Sequence, residues 1–143
     1  MKRRWFLVLG VYLIAANLWL LNTLNSPIFE EPMAVVTNVA FLFAGLLFVL
    51  GGISENLGNL GWYRFVGLAN LIMGVGFAAT YLLPIANRTS TYEDAGMFLA
   101  ICAVVGGASL AFIGFDWVRG GRYFDLSTYE EDPILGTASE TRK

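Results

Sequence analysis

The chain has 143 residues with no histidine, a single cysteine (Cys102) and only 14% charged residues. Without imidazole there is no histidine-ligated haem, no histidine proton relay and no histidine-containing metal site. One thiol excludes an intramolecular disulfide, a four-thiolate zinc site and an iron–sulfur cluster. Cys102 lies inside an apolar stretch and reads as a packing residue. A soluble domain carries about 25% charged residues. Here 57% of the residues are hydrophobic and the mean hydropathy is +0.63. The formal charge of −2 and pI near 5.0 leave no basic face for nucleic acid, whose phosphates demand one.

Catalytic motifs are lacking too. Gly51-Gly52 and Gly106-Gly107 are not phosphate loops, because neither carries the required lysine. No Ser, Thr or Cys has a plausible catalytic base beside it. No metal or cofactor is expected beyond bound lipid, and the chain is read as a non-enzyme.

What the sequence does contain is four apolar stretches, at 5–24, 33–53, 62–83 and 96–118. Each reaches the roughly 20 residues that an α-helix needs to cross a hydrocarbon core of about 30 Å. The expectation is an all-α polytopic membrane protein. Residues 1–120 form a four-transmembrane-helix bundle, up-down and antiparallel, and residues 121–143 an acidic, partly disordered cytoplasmic tail. Lys2-Arg3-Arg4 before an apolar run resembles a signal peptide, but the run is long and lacks a small-x-small cleavage site, so a retained first helix is expected. Pro27 and Pro84 should end the first and third helices, and Pro32 should precede the second.

Of the nine bases, eight fall at the N-terminus, beside the second loop or after the fourth helix, and only Arg88 falls elsewhere. The positive-inside rule then places both termini in the cytoplasm of a multi-pass cell-membrane protein. The arginine bias and acidic tail suit a high-GC or salt-adapted prokaryote such as a haloarchaeon. Asn87-Arg88-Thr89 is a glycosylation sequon in a loop assigned outside, which marks Asn87 as a candidate glycosylated residue.

Trp5, Trp62 and Trp117 each lie within two residues of an arginine at a cytoplasmic helix end. With Arg64, Asp116 and Arg119 they are read as interfacial anchors. An aromatic cage for a cation would require the three indoles to converge. Asp116 is expected to pair with Arg119 or with Arg64.

Small residues mark the packing faces. Gly96, Ala100, Ala103, Gly107, Ala111 and Gly114 share one face of the fourth helix, and Gly67, Asn70, Gly74 and Ala78 form a stripe on the third. These two helices are expected to pack along their stripes, because in lipid close backbone approach replaces hydrophobic burial as the driving force. The intramembrane polar groups are neutral. Asn17, Asn38 and Asn70 lead them, and Asn17 and Asn38 are placed to bond across the first hairpin. No acid or base lies at mid-membrane, where a proton- or ion-driven transporter needs one.

These features favour a non-enzymatic membrane protein that works by helix–helix assembly, as a homo-oligomer or with a membrane-protein partner. Accessory subunit, scaffold and virion or envelope membrane protein all belong to this class, and the tail (Tyr123, Phe124, Asp125, Leu126, Tyr129, Glu130–Asp132) is the candidate docking segment. The alternative is a small oligomeric channel or facilitator with a neutral polar pore lined by the asparagines.

Overall fold

The computed structural model describes residues 4–23, 32–53, 56–57, 60–86 and 94–126. It is all-helical, with α1 at Arg4–Thr23, α2 at Pro32–Ile53, α3 at Trp62–Ala86 and α4 at Asp94–Val118. All four are long and apolar enough to cross a membrane. Leu, Ala, Val and Phe fill them on every side, so inter-helix backbone contact, more than a one-sided apolar stripe, selects the packed faces.

Packing runs in chain order. α1 lies on α2, α2 on α3 and α3 on α4, each pair antiparallel. The buried core, formed by Ala44, Leu47, Phe48, Val66, Ala69, Met73 and Trp117, gathers at the end of the bundle where α1 and α3 begin and α2 and α4 finish. Every described base, Arg4, Arg64, Arg119 and Arg122, lies at that same end.

Three boundaries differ from expectation. Pro84 does not end α3, which continues to Ala86. A proline keeps a helical φ, and this close to the C-terminus few helical bonds depend on the turn that it weakens. Pro32 opens α2 instead of preceding it, as suits a first-turn residue whose N–H would have no partner. Between α2 and α3, β1 (Asn56–Leu57) pairs antiparallel with β2 (Leu60–Gly61), a two-residue ladder in an otherwise helical chain. Pro27, Glu55, Asn87, Arg88 and the tail beyond Leu126 lie outside the described residues.

Candidate functional site

At the base-rich end each helix contributes one ring to a single cluster. Phe6 of α1 stacks on Phe48 of α2, with centroids 6.1 Å apart and planes 4° apart. It meets Trp117 of α4 edge-on at 5.8 Å and Trp62 of α3 at 6.2 Å. Trp62 and Trp117 are themselves T-shaped at 6.4 Å. Edge-to-face contacts match positive ring edges to negative faces, and each adds about 0.5–1.5 kcal/mol beyond area.

This corrects the anchor reading of Trp117. It is buried, 4% exposed, and packs inside the cluster, not at a lipid interface. Trp62 is half-buried in the same cluster, and Trp5 alone of the three is largely exposed, at 57%. Nor is the cluster a cation cage, since its rings spend their faces and edges on one another. The guanidiniums stack outside it, Arg64 over Tyr63 at 5.9 Å and Arg119 over Phe115 at 5.1 Å.

Asp116, next to Trp117 of the cluster, is buried two residues before α4 ends. A carboxylate there opposes the helix dipole and needs compensation. The compensation comes from the chain just past the helix. Arg122 N–H donates to Oδ1 at 3.0 Å, Tyr123 N–H to both oxygens at 3.2 and 3.1 Å, and Phe124 N–H to Oδ2 at 3.0 Å. Two glycines make the reversal sterically accessible, Gly120 at φ 103° and Gly121 at φ 70°. Their N–H groups close a Schellman motif, Gly121 onto the carbonyl of Asp116 at 2.9 Å and Gly120 onto that of Trp117 at 3.0 Å. The close partners of Asp116 are thus backbone N–H donors and not Arg64, and Arg119 acts on the carboxylate only through its nearby charge. The reversed segment lays Tyr123 and Phe124 against Phe112, with centroids 6.2 Å apart in both pairs, and sends Leu126 onto the core.

The small-residue stripes of α3 and α4 face each other. A Cβ on Gly67 would stand 2.8 Å from the carbonyl oxygen of Gly114, and one on Gly107 2.7 Å from that of Gly74 and 2.8 Å from the nitrogen of Ala78. Gly74 in turn abuts Gly107 and Ala111. Ala100 is fully buried, while Gly96 and Ala103 are half-buried. A second seam was missed in the sequence: Gly10 of α1 faces Gly45 of α2, where a Cβ would lie 2.6 Å from its oxygen, and Gly52 meets Leu7. The Gly45-x6-Gly52 spacing, two turns on one face, was its signal.

Asn17 and Asn38 do not make the expected bond across the first hairpin. Asn17 donates to the carbonyl of Leu13 at 2.9 Å and Asn38 to that of Ala34 at 2.8 Å, each within its own helix. The local acceptor four residues back lies within reach of a short amide, so no partner across the hairpin is required. Thr80 and Ser109 bond backward in the same way. Asn17 and Asn70 are both buried, and Asn70 sits where α3 approaches Gly114. Cys102 is exposed on α4, where the sequence suggested packing. Among the described residues no three His, Cys, Asp or Glu side chains group to hold a metal ion.

One further feature concerns the sides of the bundle. Gly106 lies eleven positions, three helical turns, before Trp117 and so on the same face of α4. At Trp117 that face meets Phe6 of α1, yet at Gly106 an added Cβ would meet nothing within 4 Å. The first and last helices touch at the aromatic end and part further along.

The fold defines an all-helical protein whose four helices are each long and apolar enough to span a membrane. The chain belongs to a family of unknown function, DUF7994, which matches residues 1–130. No curated protein and no solved structure matches it.

Proposed function

We propose that this chain is a non-enzymatic, multi-pass cell-membrane protein with both termini cytoplasmic, acting by lateral assembly with a second copy or with a helix of another membrane protein. The observation that carries the reading is the open side between α1 and α4. Gly106 has free space above it, next to Ala103 on the same edge of the helix, while the glycines of α3 and α4 that face each other are already consumed within the chain. A notch of small residues with no occupant among the described residues suits a helix from outside, which would gain backbone contact there. The orientation rests on the four described bases lying at one end.

The test is purification from native membranes in mild detergent followed by native mass spectrometry, with wild type and Gly106→Trp compared. Assembly predicts a stoichiometric complex that the variant loses while its own fold and melting temperature are kept. A monomeric wild type, or a complex indifferent to the variant, refutes it. The channel reading draws on the burial of Asn17 and Asn70. It requires solute flux in liposomes that falls in Asn17→Leu with Asn38→Leu while assembly persists.

A further inference from the structure

The exposed side of α4, reaching round from Val104 to Ile113 at the edge of the open side, carries a groove of about 520 Å³ lined by Val105, Ala108, Ser109, Phe112 and Phe124 among others. That volume falls within the range of about 300–1,000 Å³ typical of ligand clefts. The lining is apolar in effect, because the one hydroxyl, Ser109, donates to the carbonyl of Val105 at 2.9 Å. Its end wall is built by the reversed segment. Asp116 fixes the backbone of Phe124, and the Phe124 ring stands edge-on to Phe112 at 6.2 Å.

Beyond that wall the same face becomes cationic. Ala108, Phe112, Phe115 and Arg119 follow at steps of four, three and four, one continuous helix face. Arg119 is exposed with its guanidinium over Phe115, and Arg122 is exposed one turn further along the reversed chain. Of the two carboxylates of this segment, Asp116 is committed to backbone N–H groups, while Asp125 is exposed beside Phe124. From Val104 to Ile113 the groove runs roughly 14 Å at a helical rise, about one leaflet of a 30 Å hydrocarbon core.

We propose that this face binds one anionic glycerophospholipid of the inner leaflet, an acyl chain lying in the groove and the phosphate held by Arg119 and Arg122. The inference rests on the membrane reading above. Guanidinium forks match phosphate oxygens, and an acyl chain fits an apolar channel that starts at the headgroup level and ends within its leaflet.

The experiment is native mass spectrometry of the full chain reconstituted with equimolar phosphatidylglycerol and phosphatidylcholine of identical chains. One phosphatidylglycerol should be retained per protomer in preference to phosphatidylcholine, by about five-fold per arginine. Arg119→Gln with Arg122→Gln should abolish the preference, and Arg4→Gln with Arg64→Gln should leave it. Ala108→Trp, an exposed position, should empty the groove at unchanged melting temperature. Equal retention of both lipids, a preference that survives loss of Arg119 and Arg122, or a homodimer that Ala108→Trp dissociates overturns the lipid site. Extraction of the chain from native membranes by alkaline carbonate would instead overturn the membrane reading itself, so the two failures are separable.

Discussion

At the residue scale, Asp116 shows how an unfavourable position becomes a structural device. An acid in the last turn of a helix repels the carbonyl ends, but three N–H groups from residues 122–124 surround it. Replacing it by Ala deletes the acceptor for all three, whereas Asn keeps one carbonyl oxygen. Hydrogen exchange of the 122–124 amides should therefore accelerate strongly in Asp116→Ala and less in Asp116→Asn, with α1 and α2 unaffected. Gly120 and Gly121 make the same segment sensitive to any Cβ. Gly120→Ala should destabilise by about 1 kcal/mol, the cost of left-handed backbone for an L-residue, and Gly121→Ala by more, since its Cβ would also lie 2.7 Å from Leu126. Thermal melts in detergent read both.

At the element scale the helices are joined by glycine seams and closed by one aromatic cluster. Gly74→Leu forces a side chain between α3 and α4 where backbones touch, and overpacking of this kind costs about 1–3 kcal/mol or prevents folding. Gly106→Leu on the same helix meets open space and should melt like wild type. This pair is a direct measurement of which α4 face is occupied, and equal melting temperatures for the two would contradict the packing described. Phe6→Ala removes three ring contacts at once and should loosen α1 from α4 more than α3 from α4. Disulfide trapping between cysteines placed near each interface distinguishes the two separations.

At the scale of the whole molecule, the described bases at one end and an open side between the first and last helices are what the proposed orientation and assembly rest on. If both termini are cytoplasmic, a cysteine introduced beside Arg122 should react with a membrane-impermeant reagent only after cells are opened. Asn87, outside the described residues, gives an independent readout: a glycan-sized mass lost in Asn87→Gln would place the α3–α4 loop outside, and an unshifted native mass removes that modification. The assembly proposal makes the Gly106 side the sensitive one, and the lipid proposal makes the Ala108 side sensitive to arginine loss. Ala108 lies on the far side of α4 from Gly106, but Ser109 and Ile113 of the groove stand three and seven positions past Gly106 on its own side, so the arginine variants, which leave the Gly106 notch untouched, are the ones that separate the two proposals.

The number, extent and apolar character of the four helices were legible in the sequence because length and hydropathy are local properties, set by the rise per residue and the cost of leaving backbone groups unpaired. The grouping of bases at one end followed from the same segmentation. The small-residue stripes of α3 and α4 could also be written down, since glycine spacing maps directly onto a helix face. The inward position of Trp117 could not. A helix that is apolar all round has no polar side to mark its outside, so the partner's shape decides which ring turns in. Asp116 was equally ambiguous, because the donors that satisfy it are backbone groups of a reversed segment, invisible in the residue types. Asn17 and Asn38 bonded to their own helices, where the nearest acceptor is always present. Sequence alone thus determined what each helix is made of, while tertiary structure decided which face it spends on its neighbours and which it leaves open, because only packing brings distant backbones within contact distance.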